Sequence, residues 1–105
     1  MRPICLVLVG AKERPALVLT GAVKREHAGR VTIAPISSTI RGSTTEVPVG
    51  RAEGLDHPSV VKCENVATVP ASSVGREVGL LASARERELR AAIVSAFDLL
   101  PVEIR

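Results

Sequence analysis

The sequence predicts a mainly β fold, a small barrel with one C-terminal helix. Three observations carry this. Six or seven short apolar runs are separated by glycine and proline turns. None of those runs is long enough for a buried helix. Only the last segment, from Ser83 onward, has apolar residues at helical spacing.

Ile4 to Val9 reads as the first strand, and Gly10 to Glu13 as a short turn. Arg14 precedes a proline and should be extended. Pro15 is tolerable as the first residue of a strand, and Ala16 to Leu19 completes a hairpin. Thr20 to Arg30 is polar and glycine-punctuated, a loop carrying Lys24, Arg25 and His27. Val31 to Ser38 is the third strand and breaks at Arg41-Gly42-Ser43. Thr45, Val47 and Val49 alternate with Glu46 and Pro48, a half-buried strand in which the proline marks an edge or a bulge. Gly50 to Pro58 is a second long loop. Ser59 to Cys63, Asn65 to Val69 and Glu77 to Leu81 supply the remaining strands, with a turn over Pro70 to Gly75.

Ser83 with Glu86 three residues on predicts a capping box. Leu89, Ala92, Ile93, Ala96, Phe97 and Leu100 form one apolar stripe. Glu86 and Arg90 stand in the favourable i,i+4 order. Pro101 should end a helix about 27 Å long. The stripe must be buried on the barrel or on a second subunit.

The 105 residues make one domain, 1–105, and 46 % are hydrophobic, which excludes a disordered chain. The formal net charge is +3 and the pI about 9.4, which favours a polyanionic partner. All cations but Lys12, Lys24 and Lys62 are arginine. Cys5 and Cys63 lack CxxC spacing and sit in apolar runs, as reduced structural thiols of a cytosolic protein do. No signal peptide is evident, and no run approaches the ~18 apolar residues of a membrane span. With Phe97 as the sole aromatic, a general single-strand binder built on stacked bases is disfavoured.

The chemistry gathers where the third strand ends. Ser37, Ser38 and Thr39 are followed by Arg41. Hydroxyls donate to phosphate oxygens, and a guanidinium fork matches them bidentately. The same residues also suit a turn in which Ser and Thr bond their own backbone. His27 and His57 lie in separate loops without metal-ligand spacing and read as surface histidines. No GxSxG, GxxxxGK[ST] or GxGxxG is present. What remains is Arg14 with the Ser37 to Arg41 cluster. Without metal or histidine, such a pair suits phosphoryl transfer in which an RNA 2′-hydroxyl attacks its own phosphorus. Arg14 would offset charge on the phosphate. Its other reading is a solvated residue at a strand start.

The ordered set Arg14 to Thr20, Val31 to Arg41, Thr45 to Val49, Gly54-Leu55, Pro58 to Val61, Cys63 to Val69 and Val74 to Leu80 resembles the MazF/PemK toxin family, especially its short actinobacterial members. The resemblance implies an SH3-like β-barrel and a metal-independent, sequence-specific endoribonuclease with no cofactor. Its product ends would be a 2′,3′-cyclic phosphate and a 5′-hydroxyl. It implies a cytoplasmic homodimer, without membrane association, whose partners are an RNA substrate and a MazE-like antitoxin. By position, Arg14 matches the family's catalytic arginine and Ser37 its catalytic threonine. Ser38, Thr39, Arg41, Glu64 and Asn65 fall among substrate-binding positions. The first hairpin loop is shorter than in most members, so the Thr20 to Arg30 loop, through Lys24, Arg25 and Arg30, is expected to supply RNA contacts instead. The related CcdB toxins, which bind DNA gyrase on a similar barrel, provide the alternative reading.

Overall fold

A computed structural model describes residues 1–25 and 29–99. Seven strands form one antiparallel sheet: β1 Arg2–Val9, β2 Lys12–Val18, β3 Arg30–Ser37, β4 Glu46–Val49, β5 Ser59–Lys62, β6 Ala67–Pro70 and β7 Val74–Leu81. The order is β4-β5-β3-β2-β1-β7, with β6 also on β3. Two helices complete the fold, α1 Ala22–Arg25 and α2 Glu86–Phe97.

β1 and β2 are joined by a two-residue turn, Gly10-Ala11, between the paired Val9 and Lys12. Gly10 takes φ +64 at the first turn position, which only glycine adopts freely. The hairpin is therefore tighter than the sequence suggests, and β2 starts at Lys12. Arg14 lies inside the strand, opposite Val7, and not at its start.

β3 is the hub. Its residues 30–33 pair β6, 33–35 pair β2 and 36–37 pair β5. Pro35 stands where β6 has ended and β5 has not begun, so its missing N–H leaves no ladder bond unmade.

The sheet is a curled half-barrel and not a closed ring. Its path ends at β4 on one side and β7 on the other. β4 is four residues long and carries an exposed proline, Pro48, which suits an edge. The 50–58 loop covers the seam by backbone contact. A Cβ built on Gly54, at φ +93, would come within 2.4 Å of the Val78 carbonyl oxygen, and one on Gly79 within 1.7 Å of the Glu53 carbonyl oxygen. Only glycines allow this approach.

Two apolar clusters lie on opposite faces of the β1–β2–β3 sheet. The larger joins Ile4, Leu17, Ala34, Val61 and Leu81 to Leu89 and Ala92 of α2. The smaller holds Cys5, Val7, Ala16, Val18, Val31 and Ile33. Fully burying a side chain such as Leu89 contributes about 1.5–3 kcal/mol. Both cysteines are free and buried, as expected.

α2 departs from expectation at both ends. No capping box forms. Ser83 to Arg85 make a 3₁₀ turn, and the Ser83 hydroxyl accepts the Met1 ammonium at 2.8 Å. The Glu86 carboxylate is held by Arg2, at 2.7 and 3.0 Å, and so pairs with β1 rather than with Arg90. The helix stops at Phe97 because Asp98 takes a left-handed cap at φ +51. Twelve residues span about 18 Å. Leu89 and Ala92 are buried, Ile93 and Ala96 partly so, and Phe97 is 48 % exposed. Leu100 and Pro101 lie outside the described residues, as does His27.

Candidate active site

The groove begins where β2 and β3 part. Their register runs Val18↔Ile33, Leu17↔Ala34, Ala16↔Pro35 and then ends. Leu19 N–H donates to the Thr32 carbonyl at 2.9 Å, so the odd-numbered residues of β2 direct their backbone bonds at β3. The next such bond would come from Pro15 to the Ile36 carbonyl. Proline has no N–H to give, and the ladder stops. Carried two residues past its end, the same register sets Arg14 level with Ser37, with both side chains on one face.

A groove of about 1010 Å³ opens there. Its walls include Arg14, Ser37, Ser38, Thr39, Arg41, Glu64 and Asn65, so the structure brings the expected catalytic pair and the five expected substrate-binding positions to one place. Arg14 is exposed, its guanidinium open to solvent, while Ser37 is half-buried. The Ser37 hydroxyl oxygen accepts the Thr39 N–H at 3.1 Å. The cluster is thus both a local turn and a donor surface. The N–H fixes the hydroxyl's oxygen and leaves its proton to donate elsewhere.

Glu64 lies in a 3₁₀ turn after β5 and accepts a hydrogen bond from Thr45 Oγ1 at 2.5 Å. Asn65 beside it is exposed. Both line the groove.

Sequence reading missed Lys62, Arg76, Asp56 and His57, which also line the groove. They come from β5, from β7 and from the 50–58 loop. The one available signal was the pair of glycines, Gly54 and Gly79, that lock this loop to β7. Ser59 Oγ donates to the His57 carbonyl at 3.2 Å, holding the end of the loop. With Lys62 paired to Glu46, Arg14, Arg41 and Arg76 against Asp56 and Glu64 still give the groove a cationic excess. Glu46 sits behind it, paired with Lys62 and accepting backbone N–H groups of Arg41, Gly42 and Ser43. The Lys62 ammonium chiefly, with those N–H groups, holds the Glu46 carboxyl below the usual carboxylate range.

Among the described residues of the 20–30 segment, none lines the groove. Arg25 lines a separate cleft with Arg2, Ser83 and Glu86, and neither Lys24 nor Arg30 reaches the groove. The loop leads from the far end of β2, which runs on from Arg14 to Val18 before the 20–30 segment begins. Burial, and secondarily Glu64, pushes the Cys63 thiol up to about 11, so it stays protonated near neutrality and is no nucleophile. Among the described residues no group of three or more His, Cys, Asp or Glu is placed to hold a metal ion. No described helix is long and apolar enough to cross a membrane.

A curled half-barrel with a C-terminal helix is the architecture of the PemK/MazF-like toxins. The family described as PemK-like, MazF-like toxin of type II toxin–antitoxin system matches residues 8–97, and the chain belongs to it. The chain is 48 % identical over 99 residues to the Endoribonuclease MazF3 of Mycobacterium tuberculosis strain CDC 1551, covering 94 % of this chain and 95 % of that one. Its structure matches the Mycobacterium tuberculosis toxin MazF-mt6 with TM-score 0.90 at 48 % identity, over 93 % and 98 % of the two chains. A mycobacterial endoribonuclease solved in complex with its cognate antitoxin shares the fold, at TM-score 0.82 and 20 % identity over 95 % of each chain.

Proposed function

We propose that this chain is the endoribonuclease toxin of a type II toxin–antitoxin module and cuts single-stranded RNA without a metal ion. The observation that carries the reading is the convergence of Arg14 and Ser37 on one groove from strands that part beside them. In the reaction a ribose 2′-oxygen loses its proton and bonds the adjacent phosphorus. The bond from phosphorus to the 5′-oxygen breaks, and that oxygen takes up a proton. The products carry a 2′,3′-cyclic phosphate and a 5′-hydroxyl. Negative charge grows on the phosphate oxygens, and the Arg14 fork offsets it where it develops. Ser37 donates its free proton to the same group. DNA lacks the 2′-hydroxyl and is spared.

Ser38, Thr39 and Arg41 hold flanking phosphates. Glu64 and Asn65 present the acceptors and donors that distinguish base edges. The partner is a MazE-like antitoxin whose acidic segment would occupy this cationic groove, as in modules of this kind in the cytoplasm. The toxin acts as a homodimer. The test is to incubate purified protein with total RNA in EDTA and map new 5′-hydroxyl ends. Discrete sites with wild type and none with Arg14→Ala are expected. No ends, together with capture of DNA gyrase, would move the chain to the CcdB-like reading.

A further inference from the structure

Behind the groove, one carboxylate organises the loop that faces the phosphate. Glu46 opens β4, and its side chain is 3 % exposed. It accepts the N–H groups of three successive residues, Arg41 at 3.2 Å, Gly42 at 2.9 Å and Ser43 at 3.1 Å. Its other partner is Lys62, its register neighbour on β5, whose side chain is 10 % exposed and lines the groove. Successive N–H groups converging on one anion fix the backbone that bears them. Here that backbone connects the Ser37 to Thr39 cluster with β4 and bears Arg41. A buried charge pair seldom adds stability over an apolar one, so a role in placing groups accounts for it better than a role in folding.

We propose that Glu46 is a positioning residue for RNA cleavage. It holds Arg41 and the hydroxyl cluster in register with the scissile phosphate, and it keeps the Lys62 ammonium neutralised so that the phosphate settles on Arg14 instead. The inference rests on the nuclease reading above. Lys62 in wild type contributes nothing to RNA binding, because its charge is already matched.

The experiment uses a fluorogenic RNA oligonucleotide bearing a site mapped for the wild type, and the same oligonucleotide with a 2′-O-methyl group at that site, which cannot be cut. Glu46→Gln keeps the shape and loses the charge. Its kcat should fall at least tenfold while the uncleavable RNA binds no more weakly. The slope of log affinity against log salt should steepen by about 0.7, the share of one freed cation on a single strand. Glu46→Gln with Lys62→Met should return the slope to the wild-type value and leave kcat low. Glu46→Asp keeps the charge beside its register neighbour Lys62 but is too short to reach the Arg41 to Ser43 N–H groups as well; it should keep the wild-type slope with an intermediate kcat. A wild-type kcat in Glu46→Gln would overturn the proposal. So would parallel loss of kcat and affinity, the mark of a merely structural role. If Glu46→Gln does not fold, Glu46→Asp with full kcat or a steepened slope refutes the idea alone. Failure of the wild type itself to cut RNA is a different result, and it removes the nuclease reading first.

Discussion

Arg14 is exposed on its strand and its guanidinium makes no contact that the core requires, so its removal isolates chemistry from folding. Arg14→Ala should lower cleavage by about 10²–10³-fold, the scale of losing one transition-state donor, with an unchanged melting curve by circular dichroism. Arg14→Lys keeps the charge but not the planar fork and should fall between. Ser37 gives a sharper comparison. Ser37→Ala removes the proton donor and should slow cleavage at least tenfold. Ser37→Thr restores it and, by fixing χ1, should match or exceed wild type in initial rates. Slower cleavage by the threonine variant than by the alanine one would remove the hydroxyl from the mechanism. Ser37 was legible in the sequence because a hydroxyl cluster ending an apolar strand is a local pattern; Arg14 was singled out through the family resemblance, since an arginine before a strand proline is as well read as a solvated residue. Lys62, Arg76, Asp56 and His57 were not, since they come from three separate segments, β5, β7 and the 50–58 loop, and only the fold brings them to the groove.

Among the elements, the strands were legible from apolar alternation and their punctuation, while the register was not. That Pro15 ends the β2–β3 ladder depends on which backbone groups face β3, and one residue's shift would reverse it. The α2 start was misread for a comparable reason. Ser83 and Glu86 have the spacing of a capping box, but distant partners, Met1 and Arg2, bind them instead. This pairing sets an acid limb. Glu86 has its carboxyl lowered first by the Arg2 hydrogen bond, Glu88 by Arg85 and Glu46 by Lys62. A lowered folded-state pKa stabilises above the unfolded value, near 4.5, and that stability is lost as pH falls through the folded pKa. Urea midpoints should therefore hold from pH 7 to 5 and drop below about pH 4.5, and Glu86→Gln should flatten the drop. The 50–58 loop gives a second prediction. Gly79→Ala places a Cβ against the Glu53 carbonyl, and no flexible side chain is there to yield. A loss of about 1–3 kcal/mol is expected, the range for overpacking, and with it weaker RNA binding as His57 and Asp56 are displaced.

Over the whole molecule, α2 keeps an apolar end that the barrel does not cover. The stripe read from the sequence is only half used by the barrel. Leu89 and Ala92 are enclosed and Ile93 and Ala96 partly so, whereas Phe97 is 48 % exposed; beside it, off the stripe, Val94 is 38 % and Leu99 52 % exposed. Phe97 is the chain's only aromatic residue, and leaving it half in water forfeits much of the burial it could provide. A second copy meeting the same face would bury both phenylalanines by one symmetry operation. Light scattering should then give twice the 11.0 kDa chain mass. Losing a buried aromatic anchor costs about 2 kcal/mol or more, so Phe97→Arg, which also buries a charge, should split the dimer at micromolar concentration. The competing face is the first hairpin, where Leu8 is 51 % and Val9 57 % exposed. If Leu8→Arg splits the dimer and Phe97→Arg does not, the two copies meet across β1 and α2 is free for another partner. Because the groove lies on the β2–β3 side, monomers made by Phe97→Arg that still cut RNA would show that each copy holds a complete site.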